Sequence, residues 1–99
     1  MPATTLITVA PTGAESQQED NPALPVSLAE LVVAARACQA AGASMIHIHV
    51  RDDAGRPTLD PARLRDAVAA VRESTDLIVQ LSTGGAVTDP FEARLAVLA

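Results

Sequence analysis

Three short runs of branched apolar residues restrict this chain more than any other feature: TLITVA at 5–10, MIHIHV at 45–50 and LIVQL at 77–81. Each has the length and the β-branched content of a strand. The segments between them carry helix-start signatures. Ser27 followed by Glu30 completes a capping box, with Leu28, Leu31, Val32, Ala35 and Cys38 as the apolar stripe behind it. Gly42 stands where that helix would end, as a C′ glycine. Asp60-Pro61 and Asp89-Pro90 each place an N-cap residue before a proline at N1. The second helix is expected to reach Ser74 and to bury Leu64, Ala67, Val68 and Val71. Strands about 30 to 40 residues apart leave room for a crossover helix in each interval, which implies a parallel sheet. Continuous apolar runs such as LITVA and LIVQL read as strands covered on both faces.

The order is β-α-β-α-β-α, an α/β fold. A doubly wound sheet and a (β/α)8 barrel both begin this way. A barrel needs about 250 residues. The 99 residues therefore read as the N-terminal three βα units of a single TIM-barrel domain, truncated, with the other units beyond Ala99. A hydrophobic fraction of 48% is enough to cover a sheet with helices. The net charge of −5 argues against nucleic acid or an anionic membrane surface as partner, while leaving room for a local anion site. The lone cysteine, Cys38, allows no internal disulfide, and the N-terminus lacks a basic leader. A cytoplasmic enzyme is expected. Cys38 itself reads as a small buried apolar residue.

Both histidines of the chain fall within MIHIHV. Side chains alternate along a strand, so Met45, His47 and His49 share one face and Ile46, Ile48 and Val50 the other. Residues two apart in a strand lie about 6.6 Å from one another, close enough for two imidazoles to meet at one metal ion. Burying two unpartnered rings costs about 1–3 kcal/mol for each orphaned group, and zinc offsets this by taking a nitrogen from each. Core histidines satisfied by backbone or carboxylates are the competing reading. Within the segment, Glu15, Asp52 and Asp53 are candidates for a third ligand.

The loops that leave the carboxyl ends of parallel strands are where such folds keep their sites. The first, from Ala10 to Pro25, is about 16 residues long and carries Glu15, a base, a cation partner or a solvated side chain. The third opens Ser82-Thr83-Gly84-Gly85. Its glycines let a backbone nest approach a carboxylate or phosphate, and its hydroxyls add donors. No lysine follows, so it is no Walker loop. Arg51 follows the histidine strand and can pair with Asp52 or Asp53 or face the site. DDAGRP reads as a surface turn.

In this order and spacing, TGAE at 12–15, H-x-H-x-R at 47–51 and STGG at 82–85, within ITVAPTGAE, NPALPVSLAELVVAA, AGASMIHIHVRDDAGRPTLD and IVQLSTGGA, resemble the β-keto acid cleavage enzymes. The resemblance runs from Leu6 to Leu98. It implies a (β/α)8 barrel, a homotetramer, and a zinc or similar divalent ion in each subunit. It implies condensation of a β-keto acid with acetyl-CoA as co-substrate, giving acetoacetate and a new CoA thioester. The type member acts on 3-keto-5-aminohexanoate. The family's two histidine ligands fall on His47 and His49, its substrate-contacting glutamate on Glu15, and its substrate-binding serine and glycine on Ser82 and Gly85, with Thr83 and Gly84 between them. Its third ligand and its proton-transfer residues lie downstream of Ala99, so the resemblance implies that this segment alone is inactive and binds metal weakly. Two other readings are a metal-dependent TIM-barrel hydrolase and a non-catalytic segment that associates through open sheet edges. Hydrolases of that kind place H-x-H on the first strand, whereas here a full βα unit precedes it.

Overall fold

The structure is a computed structural model that describes residues 3–86 and 88–99; Met1, Pro2 and Val87 lie outside them. Three parallel strands, β1 (Thr8–Val9), β2 (Met45–Ile48) and β3 (Ile78–Leu81), form one sheet in the order β1-β2-β3. The helices are α1 (Leu28–Ala40), α2 (Pro61–Ser74) and α3 (Phe91–Ala96). Sequential parallel order suits the first part of a barrel and equally one half of a doubly wound sheet.

Helix ends follow local chemistry. Ser27 Oγ accepts from Glu30 N–H at 3.1 Å, and the Glu30 carboxylate accepts from Ser27 N–H at 2.9 Å, closing the capping box. At the other end Gly42 takes φ +111°. Gly42 N–H then donates to Gln39 O and Ala43 N–H to Cys38 O, each at 3.0 Å, the paired bonds of a Schellman end. Asp60 caps α2 by accepting from Arg63 N–H at 3.1 Å, with Pro61 in the first turn. The third start departs from expectation. Pro90 itself is the N-cap of α3, and the Asp89 carboxylate turns back to accept from Ala86 N–H at 2.8 Å. The competing loop bond takes the side chain that would have capped the helix.

The core lies between the sheet and α1 and α2. Leu31 and Ala35 of α1, Ala67 and Val71 of α2, and Ile46 and Ile48 of β2 form it with Leu77. Val9, Val79 and Leu81 complete that face of the sheet. The α1 stripe is narrower than expected, since Leu28 is exposed and Val32 and Cys38 are half-buried. Strands covered on both faces are not what the described residues show. Ile78 is 57% exposed, and Leu6 and Ile7 are exposed as well. β1 is also shorter than TLITVA. Its ladder with β2 begins at Thr8 opposite Met45, and just before it the Ile7 carbonyl accepts from Ser44 N–H at 3.0 Å and Met45 N–H at 3.3 Å. No helix among the described residues is long and apolar enough to cross a membrane.

Candidate functional site

The β2–β3 register sorts the side chains into two sets. Ile46, Ile48, Val79 and Leu81 face the helices, while Met45, His47, Ile78 and Gln80 face the opposite way. His49 follows directly after β2 and stays with the second set. The two imidazole rings lie with centroids 4.8 Å apart and planes at 68°. Zinc–imidazole bonds run about 2.0–2.1 Å, so rings this close can reach one ion. His47 Nδ1 lies 2.7 Å from Gln80 Oε1. His49 Nδ1 is buried and has no hydrogen-bond partner among the described residues. Burial, then the neighbouring His47 and Arg51, hold the His49 pKa below the ordinary imidazole value. A neutral ring keeps a lone pair for a metal, so this environment reduces competition from protons. The donor set and the orphaned nitrogen both fit a divalent ion bound by two histidines.

The expected third ligands are elsewhere. No group of three histidine, cysteine or carboxylate side chains suited to a metal forms among the described residues. Asp52 accepts from Ala54 N–H and Arg56 N–H, both at 2.9 Å, and these bonds, that of Arg56 foremost, lower its pKa. Asp53 pairs with Arg63 at 2.7 Å. Glu15 is exposed on the first loop. Asp52 is thus committed to the turn after β2, which an Arg51–Pro57 bridge closes, and Asp53 to Arg63 of α2.

Ser82 continues the ladder by donating its N–H to Ile48 O at 3.1 Å, which brings the third loop beside His49. His49, Ser82 and Gly85 line one small cavity with Leu59 and Leu64. The expected nest is partly filled from within. Ser82 Oγ accepts from Gly84 N–H at 3.2 Å, and Asp89 takes Ala86 N–H. Gly85 adopts φ +55°. A Cβ there would strike the Asp89 carboxylate and would lie 2.8 and 2.9 Å from Leu59 side-chain carbons. Packing therefore demands this glycine whether or not a ligand approaches it. Thr83 and Gly84 are exposed at the loop's tip.

Arg51 is the residue the sequence left unplaced. It pairs with neither Asp52 nor Asp53, the two options its neighbours suggested. It is only 3% exposed, and its guanidinium donates to Gly13 O at 2.8 Å and Gly55 O at 3.0 Å. It thereby ties the TGAE loop to the turn after the histidine strand. Thr12 Oγ1, donating to Pro25 O at 2.7 Å, and Gln18, donating to Leu24 O at 3.0 Å, order the rest of that loop. A cleft of about 440 Å³ is lined by Thr12, Gln18, His49 and Arg51 together with Leu31 of α1 and Ala67 of α2. That size lies within the range of small-molecule sites, about 300–1,000 Å³.

Sequence comparison settles the family. Residues 4–99 match the beta-keto acid cleavage enzyme family. The chain belongs to that family. It is 49% identical over 83 residues to the 3-keto-5-aminohexanoate cleavage enzyme of Fusobacterium nucleatum subsp. nucleatum, covering 83% of this chain and 30% of that protein. It is 46% identical over 91 residues to the 3-keto-5-aminohexanoate cleavage enzyme of Acetoanaerobium sticklandii, covering 91% and 33%. It is 38% identical over 81 residues to the 3-oxoadipate:acetyl-CoA acetyltransferase of Cupriavidus necator, covering 81% and 28%. The chain thus spans about a third of the length of these curated relatives. For a member of this family, the paired histidines and the Ser82 loop at the carboxyl ends of adjacent strands become the natural place to look for chemistry.

Proposed function

We propose that the protein carrying this chain is a metal-dependent β-keto acid cleavage enzyme built as a (β/α)8 barrel, and that residues 1–99 form the metal-binding start of that barrel. One observation carries the reading. In a chain of this family, two imidazoles converge at the carboxyl end of the central strand, one with an orphaned buried nitrogen, beside the loop that holds Ser82.

His47 and His49 would hold the ion, with a third ligand from another part of the barrel. When bound, a divalent ion supplies Lewis acidity that polarises a keto oxygen. The remaining work falls to groups of the protein. Ser82 Oγ uses a lone pair on Gly84 N–H, which leaves its own O–H proton to donate to a substrate carboxylate. Thr83 adds a second hydroxyl donor, and the Gly84-Gly85 backbone allows close approach. Arg51 holds the Gly13 carbonyl and so fixes where Glu15 can reach. An exposed carboxylate there suits the amino group of a substrate such as 3-keto-5-aminohexanoate, whereas a relative is named for 3-oxoadipate, whose tail is acidic.

The reaction balances as an exchange of acyl groups. The bond between the keto carbon and the α-carbon of the β-keto acid breaks. A bond forms between that α-carbon and the acetyl carbonyl of acetyl-CoA as the acetyl–sulfur bond breaks and frees the CoA thiolate, giving acetoacetate. The released acyl group ends on the CoA sulfur as a new thioester. A retro-Claisen sequence of this kind needs no oxidant.

The test is turnover by the full-length protein. It should form acetoacetate from 3-keto-5-aminohexanoate or another β-keto acid only when acetyl-CoA is present. Hydrolytic cleavage without a CoA thioester would instead favour the hydrolase reading, which otherwise has only the H-x-H pair in its favour.

A further inference from the structure

LIVQL contains one polar residue, Gln80, in an otherwise apolar strand. The core does not call for it. The helix face of β3 is made by Val79 and Leu81, and Gln80 is exposed on the other side. Its ladder partner is His47. Directly opposed residues of neighbouring strands bring their side chains together, and here the contact is a 2.7 Å hydrogen bond between Gln80 Oε1 and His47 Nδ1.

The chemistry of that bond assigns the proton. A carboxamide oxygen only accepts. With that oxygen toward the ring, Nδ1 carries the hydrogen, and in a neutral imidazole the lone pair then belongs to Nε2. The same bond restrains rotation of the ring about its bond to Cβ. His49 has no such partner; its Nδ1 is buried and unpaired among the described residues. The two histidines thus differ: one is held by the neighbouring strand, and the other keeps a buried nitrogen without a partner among the described residues.

We propose that Gln80 is a positioning residue: it fixes His47 as the Nδ1–H tautomer and presents Nε2 as the metal donor. This rests on the reading of His47 as a metal ligand. Outer partners of ligating histidines work in this way, and losing one typically weakens metal affinity about 10- to 100-fold.

The experiment uses the full-length protein with Gln80→Leu and Gln80→Glu. Leucine removes the acceptor at similar size. Glutamate keeps an acceptor at the same reach and strengthens it by charge. Zinc affinity, measured by competition with a chromophoric chelator, should fall about 10- to 100-fold for Gln80→Leu and hold at or above wild type for Gln80→Glu. A crystal structure of the zinc-loaded wild type should show zinc on His47 Nε2. In the metal-free wild type, 15N spectra of labelled histidine should show the Nδ1–H tautomer at His47, lost in Gln80→Leu. Unchanged affinity in Gln80→Leu, equal losses in both variants, zinc on Nδ1, or an Nε2–H tautomer in the metal-free wild type would each overturn the inference. A wild type with the Nδ1–H tautomer but no affinity for zinc would instead sink the metal reading, so the two failures are told apart. If Gln80→Leu does not fold, the wild-type tautomer and the Gln80→Glu affinity still decide.

Discussion

The two faces of the same short sheet are opposites. On one, Ile46 and Ile48 are 0% and 1% exposed beneath α1 and α2. On the other, His47 and Gln80 face outward beside Ile78, which is 57% exposed. The first face is completed by contacts the chain makes with itself. The second gathers polar side chains around nitrogens that have chemistry left to offer. Ile46, His47, Ile48 and His49 alternate between these roles, so structure and proposed function share four consecutive positions without sharing a side chain.

Removing methyl groups from the closed face should have the largest effect. Ile48→Ala should cost about 2–5 kcal/mol, seen as a lower denaturation midpoint, because the packed site cannot fully collapse. Next comes Ile78 on the open face. If a barrel closes over it in the full-length protein, Ile78→Ser should cost about 1.5–3 kcal/mol. A change within about 0.5 kcal/mol would mark that face as solvated and count against the barrel. Arg51→Ala strips donors from the Gly13 and Gly55 carbonyls. It should cost about 1–3 kcal/mol and speed amide exchange across residues 13–18, while leaving the α1–α2 core protected. Equal loosening of both regions would refute the latch between loop and strand. The smallest effect belongs to the helix start. Ser27→Ala should cost about 1 kcal/mol. Hydrogen bonds from Ser27, its backbone first, lower the Glu30 pKa. That contribution is present above the unfolded carboxylate pKa and fades as pH falls through the lower folded value. Glu30→Gln should flatten this acid-side slope in a pH series of denaturation midpoints.

What could be read from the sequence was local. Ser27 with Glu30, Asp60 with Pro61, and Gly42 mark helix ends because a cap is made by residues three or four apart. The alternation of MIHIHV likewise placed both histidines on one face. What escaped depends on distant partners. Arg51 meets Gly13, 38 positions away, and Gln80 meets His47, 33 positions away, so no window of sequence contains either pair. Asp89 had two hydrogen-bonding options of similar reach, the helix start and Ala86 N–H, and sequence alone does not rank them. Gly85 was expected to admit a ligand, and its first obligation turned out to be to Asp89 and Leu59.

Metal analysis of the purified full-length protein tests the histidine face most directly. Wild type should carry close to one zinc or similar divalent ion per chain, and His47→Ala and His49→Ala should each lose it together with acetyl-CoA-dependent turnover. Full turnover by a His47→Ala protein that holds no metal would contradict the reading of this face as a metal site.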